Sequence, residues 1–433
     1  MTRACAIVAC SLVMSGCFMT GAPLRTDFAT DPEACGWALV GPKQDVKADG
    51  AWLKQASGSE RGSIVATTGR WESPSIKVRP FQYYQLTFAS KSEGKSYWAA
   101  KFYDAAGVEL AADHYSSIDA GDDWARNEFC FRGKAKAVTA KIWFEPLDGK
   151  TLQVADVKVA GIKRRKVAEW ADRVCATIPP VTYTPPADRW RHIPRTMEKL
   201  RKGGRVRIVL LGDSIANDMG NSPLDVLLER LYPKAEVELI TSVRGAAGCQ
   251  YYKDQNRVKE YVVDHNPDLL IIAGISHGHK HEPMRSVIRQ VREQIDPEVM
   301  VMTGAVVQLE WYYNMYVRSS RLPREKALEI ARTFPARVAA MAREENAEFL
   351  DMRRAWDEYI ENSGADSDLF RRDIIHANVR GRQVLARILE RYFAPAYKSG
   401  TTAEAWHGLA EEVVRNSGGD YGGCMRIFTP TAW

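Results

Sequence analysis

The chain has 433 residues, of which 45% are hydrophobic and 26% are charged. This balance is typical of a globular protein, and the length predicts two or three domains. The 31 Gly and 20 Pro residues are close to average usage, which excludes collagen-like and disordered chains. The 60 basic residues outnumber the 54 acidic ones, and the net charge of +6 is spread along the chain. Binding to nucleic acid is therefore not indicated.

The amino terminus has the pattern of an export signal. Arg3 precedes an apolar run over residues 4–14, and small residues follow it up to Cys17. The run is shorter than the roughly 20 apolar residues that a membrane-spanning helix needs. We therefore interpret residues 1–16 as a signal peptide and expect an exported protein that is periplasmic, secreted or a cell-surface lipoprotein. The segment ending at Cys17 is similar to a bacterial lipobox, so a lipid anchor there and plain signal cleavage both remain open.

The 8 cysteines limit the disulfides and metal sites that the chain could form. Three belong to the predicted signal or its edge, which leaves 8 − 3 = 5, an odd number that cannot all pair. One or two disulfides would suit an exported protein, with a pairing that spacing does not fix. Because no Cys-x-x-Cys pair occurs, we expect no structural zinc site. The five are Cys35, Cys130, Cys175, Cys249 and Cys424.

Residues 28–162 consist of short alternating or aromatic-rich runs separated by turn residues. The clearest strand candidates lie at 84–88, 97–102, 139–144 and 154–159. Strands at this spacing, with no helical period between them, predict an all-β jelly-roll sandwich. The layout is similar to that of carbohydrate-binding-module-like domains. Exposed aromatic rings would serve sugar binding, and core packing is the competing interpretation of the same residues, which are Trp52, Trp71, Trp98, Tyr115 and Trp124.

The chain changes character after the predicted sandwich. Residues 163–204 contain a basic run at 163–166 and two Pro-Pro pairs, which favours a linker. The basic run suits a solvated surface, and contact with an acidic glycan or a membrane is the alternative. From 205 to 397, apolar strands alternate with amphipathic helices, which predicts an α/β domain with a doubly wound parallel sheet. The C-terminal extension at 398–433 has no motif that we can interpret.

Ligands of such sheets bind outside the carboxyl ends of the strands, so motifs at these positions are candidates for chemistry. The sequence Gly-Asp-Ser-Ile at 212–215 follows the first strand and enters a helix. This placement exposes the Ser214 hydroxyl beside helix N–H groups that could stabilise an oxyanion. After the second strand, Gly245 and Gly248 permit a backbone turn with N–H groups toward the crevice.

A second polar motif lies just before the last helix. Asp373 and His376 are three residues apart on one turn. This spacing would place the imidazole toward the serine, while the carboxylate fixes its tautomer and supports the imidazolium. Together with Ser214, the two residues supply a nucleophile, a base and an orienting group, and this chemistry needs neither a metal nor another cofactor.

These motifs resemble those of the SGNH/GDSL hydrolase superfamily over about residues 204–397. The Gly-Asp-Ser-Ile motif corresponds to its first block, Gly248 to its oxyanion glycine, and the Asp-x-x-His motif to its last block. The resemblance implies a flavodoxin-like, three-layer α/β fold. It also implies Ser214 as nucleophile, His376 as general base and acid, and Asp373 as its partner. The backbone N–H groups of Ser214 and Gly248 would form two parts of the oxyanion hole.

The chain departs from that family at the third block. The family usually has Gly-x-Asn-Asp there, and its Asn side chain completes the oxyanion hole, whereas this chain reads Gly-Ile-Ser-His at 274–277. We expect Ser276, through its hydroxyl, or His277, through its ring, to take that place. Losing one oxyanion donor costs about 3 kcal/mol of transition-state stabilisation. The departure therefore bears directly on how active the site is.

Three histidines lie within five residues after the third strand, at 277, 279 and 281. A metal site is one interpretation of this spacing, but the loop does not enforce the geometry, and we expect His277 and His279 to contact substrate instead. Trp311 begins an aromatic cluster after the fourth strand. This cluster could stack on a sugar or pack as a lid, and the sequence leaves both roles open.

These observations predict an exported serine esterase that removes O-acetyl or other short acyl groups from an acylated poly- or oligosaccharide. Two alternatives remain open. One is an acyl hydrolase of lipids or small esters, and the other is a non-catalytic glycan-binding surface protein with a degenerate hydrolase domain. Contact with a membrane is expected only through an anchor at Cys17.

Overall fold

The computed structural model describes residues 23–42, 46–54, 62–147 and 149–395. The predicted signal peptide, Cys17, Cys424 and the extension at 398–433 lie outside these residues. Within the described part, no helix has both the length and the apolar composition that crossing a membrane requires. The four cysteines of this part are free thiols, namely Cys35, Cys130, Cys175 and Cys249.

The amino-terminal region is built from antiparallel strands in two sheets. One sheet has the order β10-β7-β12-β4-β3, with β1 on β12; the other has the order β2-β5-β11-β8-β9, with β6 on β11. The strands are β1 (Leu24–Thr26), β2 (Ala38–Val40), β3 (Asp49–Leu53), β4 (Ser63–Thr68), β5 (Arg70–Glu72), β6 (Ile76–Lys77), β7 (Tyr83–Ser92), β8 (Ser96–Tyr103), β9 (His114–Ile118), β10 (Gly121–Arg132), β11 (Thr139–Pro146) and β12 (Leu152–Ile162).

Aromatic side chains from both sheets form the core between them. Burial alternates along β7 and β11, as expected for strands with one face toward the core. Phe88 of the first sheet meets Phe144 of the second at 4.8 Å between ring centroids, and Trp98 meets Phe129 at 5.0 Å. The region is therefore a β-sandwich.

The five aromatic residues considered for sugar binding have different surroundings. Trp124 is half-buried on β10. Trp71 and Trp98 are buried in the core, which agrees with the packing interpretation. Trp52 is half-buried, and its indole N–H donates to the carbonyl of Phe28. Tyr115 lies under the guanidinium of Arg372, which belongs to the second domain.

The carboxyl-terminal region alternates helices with parallel strands. Its elements are α1 (Arg164–Cys175), α2 (Pro194–Lys202), β13 (Gly204–Gly212), α3 (Ser214–Gly220), α4 (Leu224–Leu231), β14 (Ala235–Val243), α5 (Cys249–Lys253), α6 (Val258–Tyr261), β15 (Leu269–Ile272), α7 (Glu282–Arg292), β16 (Glu298–Met302), α8 (Leu309–Ser320), α9 (Arg324–Glu344), β17 (Glu348–Leu350), α10 (Met352–Ser363) and α11 (Val379–Phe393).

The parallel sheet has the order β14-β13-β15-β16-β17 and is covered on both faces. Val206, Ile208 and Leu210 pack toward α2, α3, α4, α10 and α11, whereas Val209 and Leu211 pack toward α5, α6, α7 and α9. A strand buried on both faces is a continuous apolar run, which is why β13 was recognisable in the sequence. The strand order reverses at β13, so a ligand crevice is expected between the ends of β13 and β15.

The segment expected to be a linker, 163–204, contains two packed helices. Val167 and Trp170 of α1 pack with Tyr83 of the sandwich and with Val226 of α4. α2 contributes to the core of the α/β layer. In the basic run, Arg164 pairs with two carboxylates of α4, at 2.7 Å from Asp225 and 2.5 Å from Glu229. This arginine therefore joins α1 to the α/β domain and is not a free cation on a solvated face.

Candidate active site

Ser214 lies where β13 ends and α3 begins, at the carboxyl edge of the parallel sheet. Asp213 is the N-cap of α3, and its carboxylate accepts a hydrogen bond from the N–H of Ile215 at 2.9 Å. Ser214 is the first residue of the helix, where backbone N–H groups have no intrahelical acceptor. The hydroxyl of this half-buried residue is thus held beside N–H groups that are available to a ligand.

His376 and Asp373 complete a hydrogen-bonded triad with Ser214. The hydroxyl of Ser214 lies 2.8 Å from Nε2 of His376. Nδ1 of the same ring lies 2.9 Å from one carboxylate oxygen of Asp373 and 3.0 Å from the other. This arrangement protonates Nδ1 and leaves Nε2 to accept the serine proton. The three residues predicted from sequence are therefore brought together in the relative positions that nucleophilic catalysis requires.

The Asp373 carboxylate is held in its ionised form. Burial opposes ionisation, but the hydrogen bond and charge of His376, the N–H of Ile375 and the charge of Arg372 together lower the pKa of Asp373 to about 2. One Asp373 oxygen also accepts the N–H groups of Ile375 and His376, each at 2.9 Å. The carboxylate therefore fixes the turn as well as the imidazole.

Asp213 connects the nucleophile turn to the loop after β15. Its second carboxylate oxygen accepts the N–H groups of Ile275 and Ser276 at 2.7 Å and 2.6 Å. The backbone of Gly274 has φ +111°, and a Cβ there would lie 2.6 Å from the Asp213 carboxylate. Only glycine fits this approach without displacing the carboxylate. Asp213 of the Gly-Asp-Ser-Ile motif and Gly274 of the Gly-Ile-Ser-His segment thus form one structural unit.

Gly248 brings a second backbone N–H group to the crevice. It is the N-cap of α5, and its N–H has no acceptor among the described residues. A Cβ at this position would lie 2.1 Å from the carbonyl oxygen of Ser276, far inside contact distance. The close approach of two backbone segments therefore requires glycine here and sets the position of the N–H group.

His277 has a different role from the one expected. Its Nδ1 accepts the N–H of Cys249 at 3.3 Å, and its Nε2 donates to the carbonyl of Ala273 at 3.2 Å. Burial lowers the pKa of the His277 ring despite the nearby charge of Asp213, and this pair of hydrogen bonds needs the neutral ring. Because both nitrogens are engaged, the ring is not available as an oxyanion donor and does not offer a nitrogen to substrate. It instead anchors the residue after Gly248 to the end of β15.

Ser276 is the side chain left for the third oxyanion position. The residue is half-buried, and its hydroxyl has no hydrogen-bond partner within the part of the chain that the structure describes. Its carbonyl lies against Gly248, and its N–H is bound by Asp213. The backbone of Ser276 is therefore held at the crevice, while its hydroxyl is free to rotate toward a ligand.

His279, expected to contact substrate, is buried instead. It is 3% exposed, and its ring lies against Tyr312, Tyr316 and Phe334, with centroid distances of 4.7, 4.1 and 5.3 Å. Burial and the charge of Arg337 lower the pKa of His279 to about 4. The ring is a neutral packing element between the loop after β15 and the helices α8 and α9.

Trp311 lies on α8, which begins beside the catalytic loop. The N–H of Gln308, the N-cap of α8, donates to the carbonyl of Ile374 at 3.2 Å. One face of the helix lines an open groove of about 470 Å³, formed by Trp311, Asn314, Met315 and Arg318. An indole beside amide and guanidinium donors is a lining that suits a sugar.

Asp218 is a residue of the site that the sequence analysis missed. It is buried on α3, one turn after Ser214, and one of its oxygens accepts the N–H of Ala377 at 2.9 Å. Its other oxygen accepts from Arg372 at 2.6 Å and from Arg382 at 2.8 Å. The sequence did carry a signal for this residue. Asp218 is an acidic residue four positions after Ser214 in a largely apolar helix, and residues at this spacing share a helix face.

No protein-family model and no curated protein matches the chain. Solved structures similar to it include an acetylxylan esterase from Geobacillus stearothermophilus, with 17% identity, 45% of this chain and 97% of that chain covered, and a TM-score of 0.35. A two-domain esterase active on acetylated mannans has 16% identity, 49% and 56% coverage and a TM-score of 0.34.

A third similar structure is a carbohydrate-binding domain. A xylan-binding domain from Paenibacillus barcinonensis has 14% identity, with 33% of this chain and 96% of that chain covered, and a TM-score of 0.26. These three neighbours are two carbohydrate esterases and a carbohydrate-binding domain, at low identity and partial coverage. Such values assign no family.

Proposed function

We propose that this protein is an exported serine esterase that removes O-acetyl or other short acyl groups from a carbohydrate. The observation that carries the proposal is the hydrogen-bonded series from Ser214 through His376 to Asp373, at 2.8 Å and 2.9 Å. A serine at a strand end, a base within hydrogen-bond reach and a half-buried orienting carboxylate are the elements of acyl transfer through a covalent intermediate.

In the first half of the reaction, Ser214 Oγ attacks the carbonyl carbon of the ester. His376 Nε2 takes the hydroxyl proton, and the Asp373 carboxylate stabilises the imidazolium that forms. The tetrahedral intermediate then collapses: the bond to the sugar oxygen breaks, and that oxygen takes the proton from His376. The products of this half are the free sugar hydroxyl and the acyl ester of Ser214.

In the second half, water replaces the sugar. His376 removes a proton from a water molecule as that molecule attacks the acyl carbonyl carbon, and returns it to Ser214 Oγ when the acyl–serine bond breaks. The acid leaves, and the enzyme regains its starting state. The same imidazole thus serves as base and acid in both halves, which is why its tautomer must be fixed.

The negative oxygen of each tetrahedral intermediate needs donors that are positioned before the reaction. We assign the N–H groups of Ser214 and Gly248 and the hydroxyl of Ser276. His277 contributes indirectly, because it binds the N–H of Cys249 and so holds the segment next to Gly248. A serine hydroxyl can replace the amide of the missing asparagine as a hydrogen-bond donor, although it rotates more freely.

The groove on α8 supports a carbohydrate as the alcohol part of the substrate. Trp311 offers a ring on which a sugar can stack, and Asn314 and Arg318 offer donors to its hydroxyl groups. The hydrogen bond from Gln308 to Ile374 holds this helix next to the catalytic loop.

The test compares wild-type protein with Ser214→Ala and His376→Ala. The substrates are p-nitrophenyl acetate and butyrate, with acetate release measured from acetylated xylan, mannan and pectin. We expect turnover of the acetyl substrates and loss of at least about 10³-fold in kcat in both variants, because the residues act as one unit. Ser222→Ala is a matched control, since among the described residues this buried hydroxyl bonds only the carbonyl of Met219.

The outcomes separate the candidate functions. Faster turnover of butyrate and longer esters, with none of acetylated glycans, would favour an acyl hydrolase of lipids or small esters. Absence of any ester turnover, with glycan binding that survives Ser214→Ala, would favour a non-catalytic surface protein. Turnover that is indifferent to Ser214 would refute the triad assignment.

A further inference from the structure

We propose that the β-sandwich is a positioning element of the catalytic site: it holds both the helix that carries Ser214 and the loop that carries His376. The inference rests on the esterase proposed above and deepens it by naming residues outside the α/β domain that set the geometry of the triad. It follows from contacts at three points, which are the catalytic loop, the junction at Asp218 and the end of α3.

The first point is the backbone of Arg372, the residue before Asp373. The ammonium of Lys95, at the turn between β7 and β8, donates to the carbonyl of Arg372 at 2.7 Å. The N–H of Arg372 donates to the carbonyl of His376 at 3.0 Å and so closes the loop. A residue of the sandwich therefore binds the main chain at the base of the loop that holds both Asp373 and His376.

The second point is the buried side chain of Arg372. Its guanidinium donates to the carbonyl of Tyr115 on β9 at 3.3 Å and to Asp218 at 2.6 Å. The guanidinium of Arg382 on α11 makes the same pair of contacts, to the carbonyl of Tyr115 and to Asp218. Two cations thus connect one sandwich carbonyl to one carboxylate of the nucleophile helix.

Asp218 in turn links the two halves of the triad. It lies one turn after Ser214 on α3 and accepts the N–H of Ala377, the residue after His376, at 2.9 Å. Burial opposes its ionisation, but the charges of Arg372 and Arg382 hold the pKa of Asp218 below its ordinary value. An ionised Asp218 accepts on both oxygens, so the distance between Ser214 and His376 depends on it.

The third point is the carboxyl end of α3. Asp113 of the sandwich accepts from the amide of Asn217 at 2.8 Å. Arg132 on β10 donates to the carbonyl of Gly220 at 2.8 Å, and Lys134 donates to the side chain of Asn221 at 2.6 Å. These contacts hold the helix that positions Ser214 at the end opposite to the nucleophile.

A module that only captured glycan would need no contact with the backbone of residue 372 or with the carbonyl that ends α3. The sandwich makes both contacts through buried or charged groups, and charge-assisted hydrogen bonds are the stronger and geometrically more specific kind. Since an error of about 1 Å in the relative position of reacting groups can cost about 10²-fold in rate, these contacts bear on kcat.

Lys95→Ala in the full chain tests the proposal. Lys95 is an exposed residue, so its truncation leaves no buried cavity. We expect kcat for p-nitrophenyl acetate to fall about tenfold, with KM within about twofold, because the triad is displaced while acyl binding is kept. Amide hydrogen exchange should become faster in residues 371–377. Lys95→Arg retains a donor and should restore both quantities, and Lys77→Ala, at an exposed sandwich lysine on β6, should change neither.

The outcomes distinguish this proposal from the one on which it rests. Unchanged exchange in residues 371–377 of Lys95→Ala would overturn it, whether or not the wild type hydrolyses esters. Faster exchange with unchanged kcat would overturn it as well, because the contact would then be structural only. If the wild type has no Ser214-dependent turnover, the esterase is refuted, and the exchange data alone decide whether the sandwich holds the loop.

Discussion

Gly248→Ala perturbs the oxyanion hole through one atom. The added Cβ would lie 2.1 Å from the carbonyl oxygen of Ser276 and 2.6 Å from its carbonyl carbon. Neither is a flexible side-chain end, so the strain must be relieved by moving a backbone segment. The backbone of Gly248 itself, with φ −101° and ψ −175°, is open to alanine. The cost of the substitution therefore comes from the close approach and not from an unusual conformation.

The size of the effect follows from that distance. Real Cβ atoms essentially never approach closer than 3.0 Å, so the two segments must separate by at least 3.0 − 2.1 = 0.9 Å. A shift of this size removes the Gly248 N–H from an oxyanion or moves the hydroxyl of Ser276. Loss of one such donor lowers kcat by about 10²–10³-fold, or about 2.7–4 kcal/mol. Overpacking of this kind costs about 1–3 kcal/mol of stability.

The assay is kcat and KM on p-nitrophenyl acetate, with thermal unfolding measured on the same samples. Gly245→Ala is the matched control, because a Cβ at Gly245 in the same loop meets no atom within 4 Å. We expect Gly248→Ala to lower kcat at least 10²-fold while it remains folded at the assay temperature, and Gly245→Ala to behave as wild type. The reasoning is refuted if Gly248→Ala stays folded with kcat within about threefold of wild type.

Three further predictions concern groups around the site. Asp373→Asn should lower kcat about 10⁴-fold, because an amide cannot hold the Nδ1–H tautomer of His376; kcat retained within tenfold would contradict this. His277→Ala removes the acceptor for the N–H of Cys249, so it should lower kcat more than His279→Ala does. His279→Ala removes a packed ring and should mainly lower the melting temperature. Equal kcat in the two variants would count against the anchoring role of His277. Burial and nearby cations, Arg382 first, hold the pKa of His114 well below its ordinary value. Below about pH 6.5 the unfolded chain therefore binds a proton at His114 that the folded chain does not. The free energy of unfolding should fall as pH drops below this value, by at most about 1.4 kcal/mol per pH unit. His114→Gln should flatten that slope in thermal unfolding, and an unchanged slope would show that other groups cause it.

The triad was predictable because its signals are local. The apolar run of β13 leads directly into Asp213 and Ser214, and Asp373 and His376 share one turn, so each half could be recognised within a few residues. The rule that ligands bind at the carboxyl ends of parallel strands pointed to the serine half, and the resemblance to a known hydrolase superfamily linked it to the second half. The β-sandwich and the parallel sheet were predictable for the same reason, since strand periodicity is a short-range pattern.

Other elements carry a weaker local pattern. β10 was missed because its first half, from Gly121, is largely exposed and polar and has no alternation to detect. The sequence of α8 predicts only an aromatic cluster, because its apolar and polar residues do not separate into two clear faces. In the segment 163–204, the Pro-Pro pairs favour a linker and obscure the amphipathic pattern of α2. Packing of this helix against the core stabilises it in the fold.

The contacts that set the geometry of the site could not be predicted, because they join distant parts of the chain. Lys95 and the carbonyl of Arg372 are 277 residues apart, and His114 and Arg382 are 268 apart. No periodicity specifies such pairs. The role of His277 could not be predicted for a related reason: its position after β15 indicates the crevice, but only the fold supplies the partners of its two nitrogens.

The carboxylate of Asp213 shapes the loop after β15 by accepting main-chain N–H groups, at Ile275 and Ser276. Every residue except proline supplies such a group. The path of this loop is therefore encoded at position 213 and is nearly independent of the side chains at 275 and 276. A substitution other than proline at 275 or 276 should therefore leave these two hydrogen bonds in place, so the side chain at 276 can be exchanged without moving the backbone that Asp213 holds beside the nucleophile.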